Sequence, residues 1–100
     1  MPATHAQDIQ QGRDLFIAKD KGNCSACHQV PSDPAVMSRA TVGPVLANVR
    51  DRLPDRAALR EMLFDPQRRT PGTLMPPYGR HQILTASEIE RVIDYVHAIR

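Results

Sequence analysis

One hundred residues suffice for one compact domain and are too few for two, so residues 1–100 are read as a single domain, with residues 1–7 a flexible N-terminal extension. With two Phe, two Tyr and no Trp the chain holds little large apolar surface, and domains of this size often complete their core with a metal or cofactor. A net charge of +2 excludes the dense positive field of a dedicated nucleic-acid binder, and no apolar stretch is long enough to span a membrane.

There are no repeats and no alternating apolar runs of strand type, and the chain reads as helices separated by proline-containing loops. Residues 8–19 predict a first helix, with Ile9, Gly12, Leu15 and Phe16 on one face. Lys21-Gly22-Asn23 breaks it, and Cys24-Ser25-Ala26-Cys27-His28 follows at once. Residues 29–44 contain three prolines and read as an extended loop. A short helix is predicted over residues 54–64: Pro54 suits its first turn, Leu59, Met62 and Leu63 make its buried stripe, and Asp65-Pro66 ends it. Residues 67–79 hold three more prolines and two glycines, which excludes a helix. The last helix is the clearest element. Thr85-x-x-Glu88 is a capping box, and Ile89, Val92, Ile93, Val96 and Ile99 recur at helical spacing with Tyr95 beside them. The expected fold class is therefore all-α, with the longest helices at the two ends and long loops between them to wrap around a group.

The spacing C-x-x-C-H is the attachment signature of c-type haem. Two thiols three positions apart on one turn reach the two vinyl groups of one porphyrin. The next residue then lies over the iron and ligates it through a ring nitrogen. The expected cofactor is one covalent haem c on Cys24 and Cys27, with His28 as the first axial ligand. A zinc site would need two further soft ligands, and the chain has only two Cys. A thioredoxin-like pair expects a strand before the motif, and a disulfide here would close too few residues to stabilise much.

The second axial ligand must come from elsewhere, and His with Met is the usual pairing for electron transfer. Of the four Met, Met1 is terminal, Met37 follows the motif too closely to reach the opposite face, and Met62 lies in a helix stripe where core packing is the default. Met75 sits in Thr70-Pro-Gly-Thr-Leu-Met-Pro-Pro-Tyr-Gly79, a loop stiffened by three prolines. It is the expected ligand, with His81 its competitor. A ligating His normally donates its other ring N–H to a fixed acceptor. The Pro44 carbonyl is a candidate for that role, and a simple Gly-Pro turn explains Gly43-Pro44 equally well.

Charge is unevenly spread. Between residues 35 and 80 lie eight Arg (39, 50, 52, 56, 60, 68, 69 and 80) against four acids, Asp51, Asp55, Glu61 and Asp65. Guanidinium groups suit bidentate pairing with carboxylates, including haem propionates and acidic partner surfaces. A solvated charged face is the plainer account of any single one.

Gly12 and Phe16 on the first helix, Tyr95 on the last, and Cys24, Cys27, His28, Pro44 and Met75 in that order resemble the class I cytochromes c. The resemblance implies a small helical fold wrapped around one covalent haem. Lys21-Gly-Asn-Cys-Ser-Ala-Cys-His28, Val42-Gly-Pro44, Arg52-Leu53, Leu59-Arg60, Asp65, Pro71-x-Thr73-x-Met75-Pro76 and Ile83-Leu-Thr-Ala86 resemble, more narrowly, the SoxX family, the monohaem subunits of SoxAX complexes in bacterial thiosulfate oxidation. That likeness implies an electron-transfer subunit without catalytic residues of its own, paired with a larger haem-bearing SoxA-like subunit and a downstream electron acceptor. It implies neither a nucleic-acid partner nor a membrane span. The connection between Pro76 and Ile83, shorter than in many members, keeps open a diffusing cytochrome c or the haem subunit of another dehydrogenase such as a sulfite-oxidising one. An enzyme with an open sixth site is the alternative of another class. Residues 1–20 carry no apolar signal core, whereas haem attachment of this type takes place outside the cytoplasm. The chain is thus expected to be the mature form of a periplasmic protein.

Overall fold

A computed structural model describes residues 4–100. Four α-helices and two 3₁₀ turns are joined by loops, with no strand among the described residues, so the chain is all-α as its pattern predicts. Helix α1 spans His5–Ile17, α2 Val49–Arg52, α3 Arg56–Phe64 and α4 Ala86–Ala98; the 3₁₀ turns are Cys24–Ala26 and Pro66–Arg68. No described helix is long and apolar enough to cross a membrane.

The ends of the helices are set by caps, which move two of them from their expected bounds. Thr4 accepts from the Gln7 N–H while the Gln7 side chain accepts from the Thr4 N–H, a capping box that starts α1 at His5 instead of residue 8. Residues 5–7 of the expected flexible extension are therefore helical, and residues 1–3 lie outside the described residues. Asp55 caps α3 by accepting from the Ala57 N–H at 2.9 Å, so Pro54 precedes the helix and does not form its first turn. Leu59 and Leu63 are buried on α3, but Met62, expected in the same stripe, is only half-buried. The one-turn helix α2 was not legible: it starts after Asn48, whose φ of 52° lies in the left-handed region that Asn tolerates. At α4 the Thr85–Glu88 capping box forms as expected, and Ile99 closes the helix as its C-cap, still buried.

The two thirteen-residue helices, α1 and α4, cross and carry the core. Gly12 makes the approach possible: a methyl group there would collide with the Arg91 carbonyl and sit 2.8 Å from the Tyr95 Cβ. Beside it, the Phe16 and Tyr95 rings meet edge to face at 5.2 Å between centroids. Leu59 and Leu63 of α3 join Ile89, Val92, Ile93 and Val96 of α4 in the same apolar cluster. Over this cluster runs a chain of ion pairs. Arg60 and Arg56 of α3 both reach Glu90 (2.6 and 3.2 Å), Arg56 reaches Asp94 (2.8 Å), and Arg91 joins Asp94 to Asp8 of α1. The helices thus form one frame, and the loops between them are hung on it.

Candidate functional site

The first part of the site is built on the turn after α1. The Gly22 N–H donates back to the Leu15 carbonyl and Asn23 takes a left-handed φ of 49°, which reverses the chain into the 3₁₀ turn Cys24–Ala26. The Cys27 and His28 N–H groups both donate to the Cys24 carbonyl, so both cysteines and the histidine lie on one tight turn. The two cysteines form no disulfide; Cys24 is buried and Cys27 half-buried. Burial pushes the Cys24 thiol up to about 11, against a smaller lowering by the Tyr78 hydroxyl. It is a neutral thiol near pH 7, not the exposed thiolate of a redox pair.

The loop that follows is folded back onto this turn. Ser38 Oγ donates to the Ser25 carbonyl (2.7 Å), the Gly43 N–H to the Cys27 carbonyl (2.8 Å) and the Leu46 N–H to the Gln29 carbonyl (2.9 Å). These bonds bring Pro44 to His28, whose Nδ1 lies 2.7 Å from the Pro44 carbonyl oxygen. A carbonyl can only accept, so Nδ1 carries the proton and Nε2 keeps a free lone pair. Gly43, which the sequence reading treated only as part of a turn, presses its α-carbon against the imidazole. A methyl group on it would stand 2.5–2.9 Å from Cε1, Nδ1 and Nε2.

Met75 comes from the other side of the chain. Its loop is closed at the base, where the Phe64 carbonyl accepts from the Gly79 and Arg80 N–H groups. The buried Asp65 carboxylate also draws Arg80 (3.4 Å) and Arg68 (3.6 Å) to Oδ2, leaving Oδ1 buried without a protein partner. Inside the loop, Gln67 bonds both Thr73 and Gly72, and Thr73 Oγ1 accepts from the Met75 N–H at 3.2 Å. Met75 itself is half-buried and packs against the core cluster. His81, its competitor, is exposed, and Met37 is 94% exposed.

Tyr78 is the second residue the sequence reading passed over. Its hydroxyl donates to the Gly22 carbonyl at 2.6 Å, tying the Met75 loop to the turn that bears the cysteines across 56 residues of chain. An aromatic residue inside a proline-rich loop was the available signal. On the far side, Tyr95 donates to Asp33 at 2.8 Å and fixes the start of the 29–44 loop to α4. Burial would raise the Asp33 carboxyl, but Tyr95, the Ala35 N–H and Arg13 outweigh it and hold the group below its ordinary range.

Two comparisons bear on this arrangement. The family model described as Cytochrome c matches residues 9–100, from the first turns of α1 to the last residue. An uncharacterized lipoprotein of Aquifex aeolicus (strain VF5) is 32% identical over 77 residues, which are 77% of this chain and 36% of the lipoprotein. The chain thus spans little more than a third of that relative's length.

Proposed function

From the premise that the chain belongs to the cytochrome c family, we propose that it is the monohaem electron-transfer subunit of a periplasmic sulfur-oxidising complex, of the SoxX kind. As a c-type cytochrome of the small class I fold it carries covalently bound haem c and has an electron-transfer role. The finer reading assigns Cys24 and Cys27 to the two thioether bonds, His28 and Met75 to the axial positions, and the Pro44 carbonyl to the orientation of His28.

The observation that carries the reading is the His28 ring. Its Nδ1 is engaged by Pro44 at 2.7 Å on the turn that bears Cys24 and Cys27, which leaves Nε2 as the ring nitrogen able to bind iron. Val42, Val45 and Leu74 are exposed on the loops that carry Pro44 and Met75, apolar surface that suits the face of a porphyrin. When bound, the haem supplies a one-electron couple whose potential a Met thioether raises. The protein's part is to keep its ligands still. Pro44 fixes the imidazole, Gly43 stops it from rotating, and the base of the Met75 loop is held by Phe64 and Asp65. An unchanged ligand set in both oxidation states keeps reorganisation small, and a filled sixth position argues against O₂ or peroxide chemistry.

Membership of a thiosulfate-oxidising complex is supported by the run from Lys21 to His28 and by the Pro71-to-Pro76 segment, both similar to SoxX. Haem attachment of this type takes place outside the cytoplasm, and a relative named as a lipoprotein agrees with that location. The short connection after Pro76 favours a second reading as a diffusing carrier. It is a compact turn in which the Ile83 and Leu84 N–H groups return to the Tyr78 carbonyl. The test is reconstitution of the holoprotein with a larger SoxA-type haem subunit and a carrier protein. Thiosulfate should reduce the haem only when that subunit is present, and the pair should stay bound at high ionic strength. Equal reduction without the subunit, at rates that fall steeply with salt, would leave the diffusing carrier.

A further inference from the structure

Within the segment from Pro66 to Met75, backbone turns close Pro66 to Thr70 and Thr70 to Thr73, and one side chain ties these turns together. Gln67, in the 3₁₀ turn after α3, reaches across the loop and uses both ends of its amide. Nε2 donates to the Thr73 carbonyl at 2.9 Å, and Oε1 accepts the Gly72 N–H at 2.8 Å. Gly72 has a φ of +84°, a conformation that costs glycine little to enter or leave, so the loop has a hinge at the point Gln67 bonds. Thr73 passes the restraint on, because its Oγ1 accepts the Met75 N–H at 3.2 Å. The amide satisfies both partners at once, whereas an ionised Glu keeps the acceptor and loses the donor, and Leu loses both. A Met side chain is flexible about three bonds, so the position of its backbone decides where the sulfur can rest.

We propose that Gln67 is a positioning residue for Met75, holding its thioether in place against the haem iron and setting how readily an outside ligand displaces it. The inference rests on the reading of Met75 as sixth ligand. Gln67 acts through its hydrogen bonds to Gly72 and Thr73.

The experiment compares holoproteins by imidazole titration and by the sulfur-to-iron charge-transfer band of the oxidised form. Gln67→Leu should bind imidazole roughly tenfold more tightly than the wild type, as the loss of two neutral hydrogen bonds implies. Gln67→Glu should fall between them; if Gln67→Leu does not assemble, this variant carries the comparison. Met62→Ala should lower Tm without altering imidazole affinity, which separates positioning from general stability. Unchanged imidazole affinity in both Gln67 variants, with the band lost in Met75→Ala, overturns the role of Gln67 and leaves Met75 as the ligand. A rise in affinity as large in Met62→Ala also overturns it. A band that survives Met75→Ala overturns the ligand assignment, and the Gln67 role with it.

Discussion

Gly43 and Pro44 act on His28 from two directions, one by contact and one by hydrogen bond. The Pro44 carbonyl fixes which ring nitrogen carries the proton, and Gly43 limits rotation of the ring because there is no room behind it for a methyl group. Gly43→Ala should therefore destabilise the holoprotein by about 1–3 kcal/mol, the usual cost of overpacking a close contact. Met37→Ala, on the same loop but 94% exposed, should stay within about 0.5 kcal/mol. Denaturant unfolding of the two variants measures the difference, and a neutral Gly43→Ala would mean that the imidazole moves freely. At this scale the sequence reveals contacts made within a few residues and hides those made across the chain. Cys24, Cys27 and His28 are adjacent and announce themselves. Gly43, Gln67 and Tyr78 matter for what they meet after folding, 5 to 56 residues away.

Helices α1, α3 and α4 are held together by close approach at one place and by charge at another. Replacing Gly12 with Ala raises helix propensity by about 1 kcal/mol, yet the added methyl meets the backbone of α4 at Arg91, which cannot move without moving the helix. Gly12→Ala should lose stability on balance, read as a lower denaturation midpoint, and a stabilised variant would contradict the crossing. Between α3 and α4, hydrogen bonding from Arg60 outweighs the opposing effect of burial and, with Arg56 adding to the lowering, pulls the Glu90 carboxyl from 4.5 down to about 2. A carboxylate whose pKa is lower in the folded chain stabilises it at pH values above the unfolded pKa, near 4.5, and that stability is lost as pH falls through the folded value. Unfolding measured between pH 6 and 2 should therefore show a shallower acid loss for Glu90→Gln than for wild type. Identical slopes would mean the Arg60–Glu90–Arg56 cluster adds nothing to the fold. These elements were legible where their signals are local: the Thr85–Glu88 box located α4, whereas the Thr4–Gln7 box, with no apolar run directly behind it, left α1 placed three residues late.

Across the whole molecule, the four-helix frame supplies an apolar core with few large side chains, and the long loops between α1 and α4 bring the C-x-x-C-H turn, Pro44 and Met75 within one small fold. The all-helical class and the position of the longest helices at the two ends were readable from periodicity and proline content. The ties between loops were not, because Tyr78 to Gly22, Tyr95 to Asp33 and Asp65 to Arg80 follow no sequence period. The same fold explains why the account turns on one covalent group. Cys24, Cys27 and His28 share one tight turn, and the Pro44 carbonyl engages Nδ1 of His28, so Nε2 is the ring nitrogen not used in that bond. The most direct test is the spectrum of the holoprotein in alkaline pyridine after extraction with acidified acetone. The haem should stay with the protein, and its absorption should be shifted as two saturated thioether links require, one for each of Cys24 and Cys27. Haem that passes into the acetone, or a spectrum of a porphyrin with its vinyl groups intact, would contradict the account.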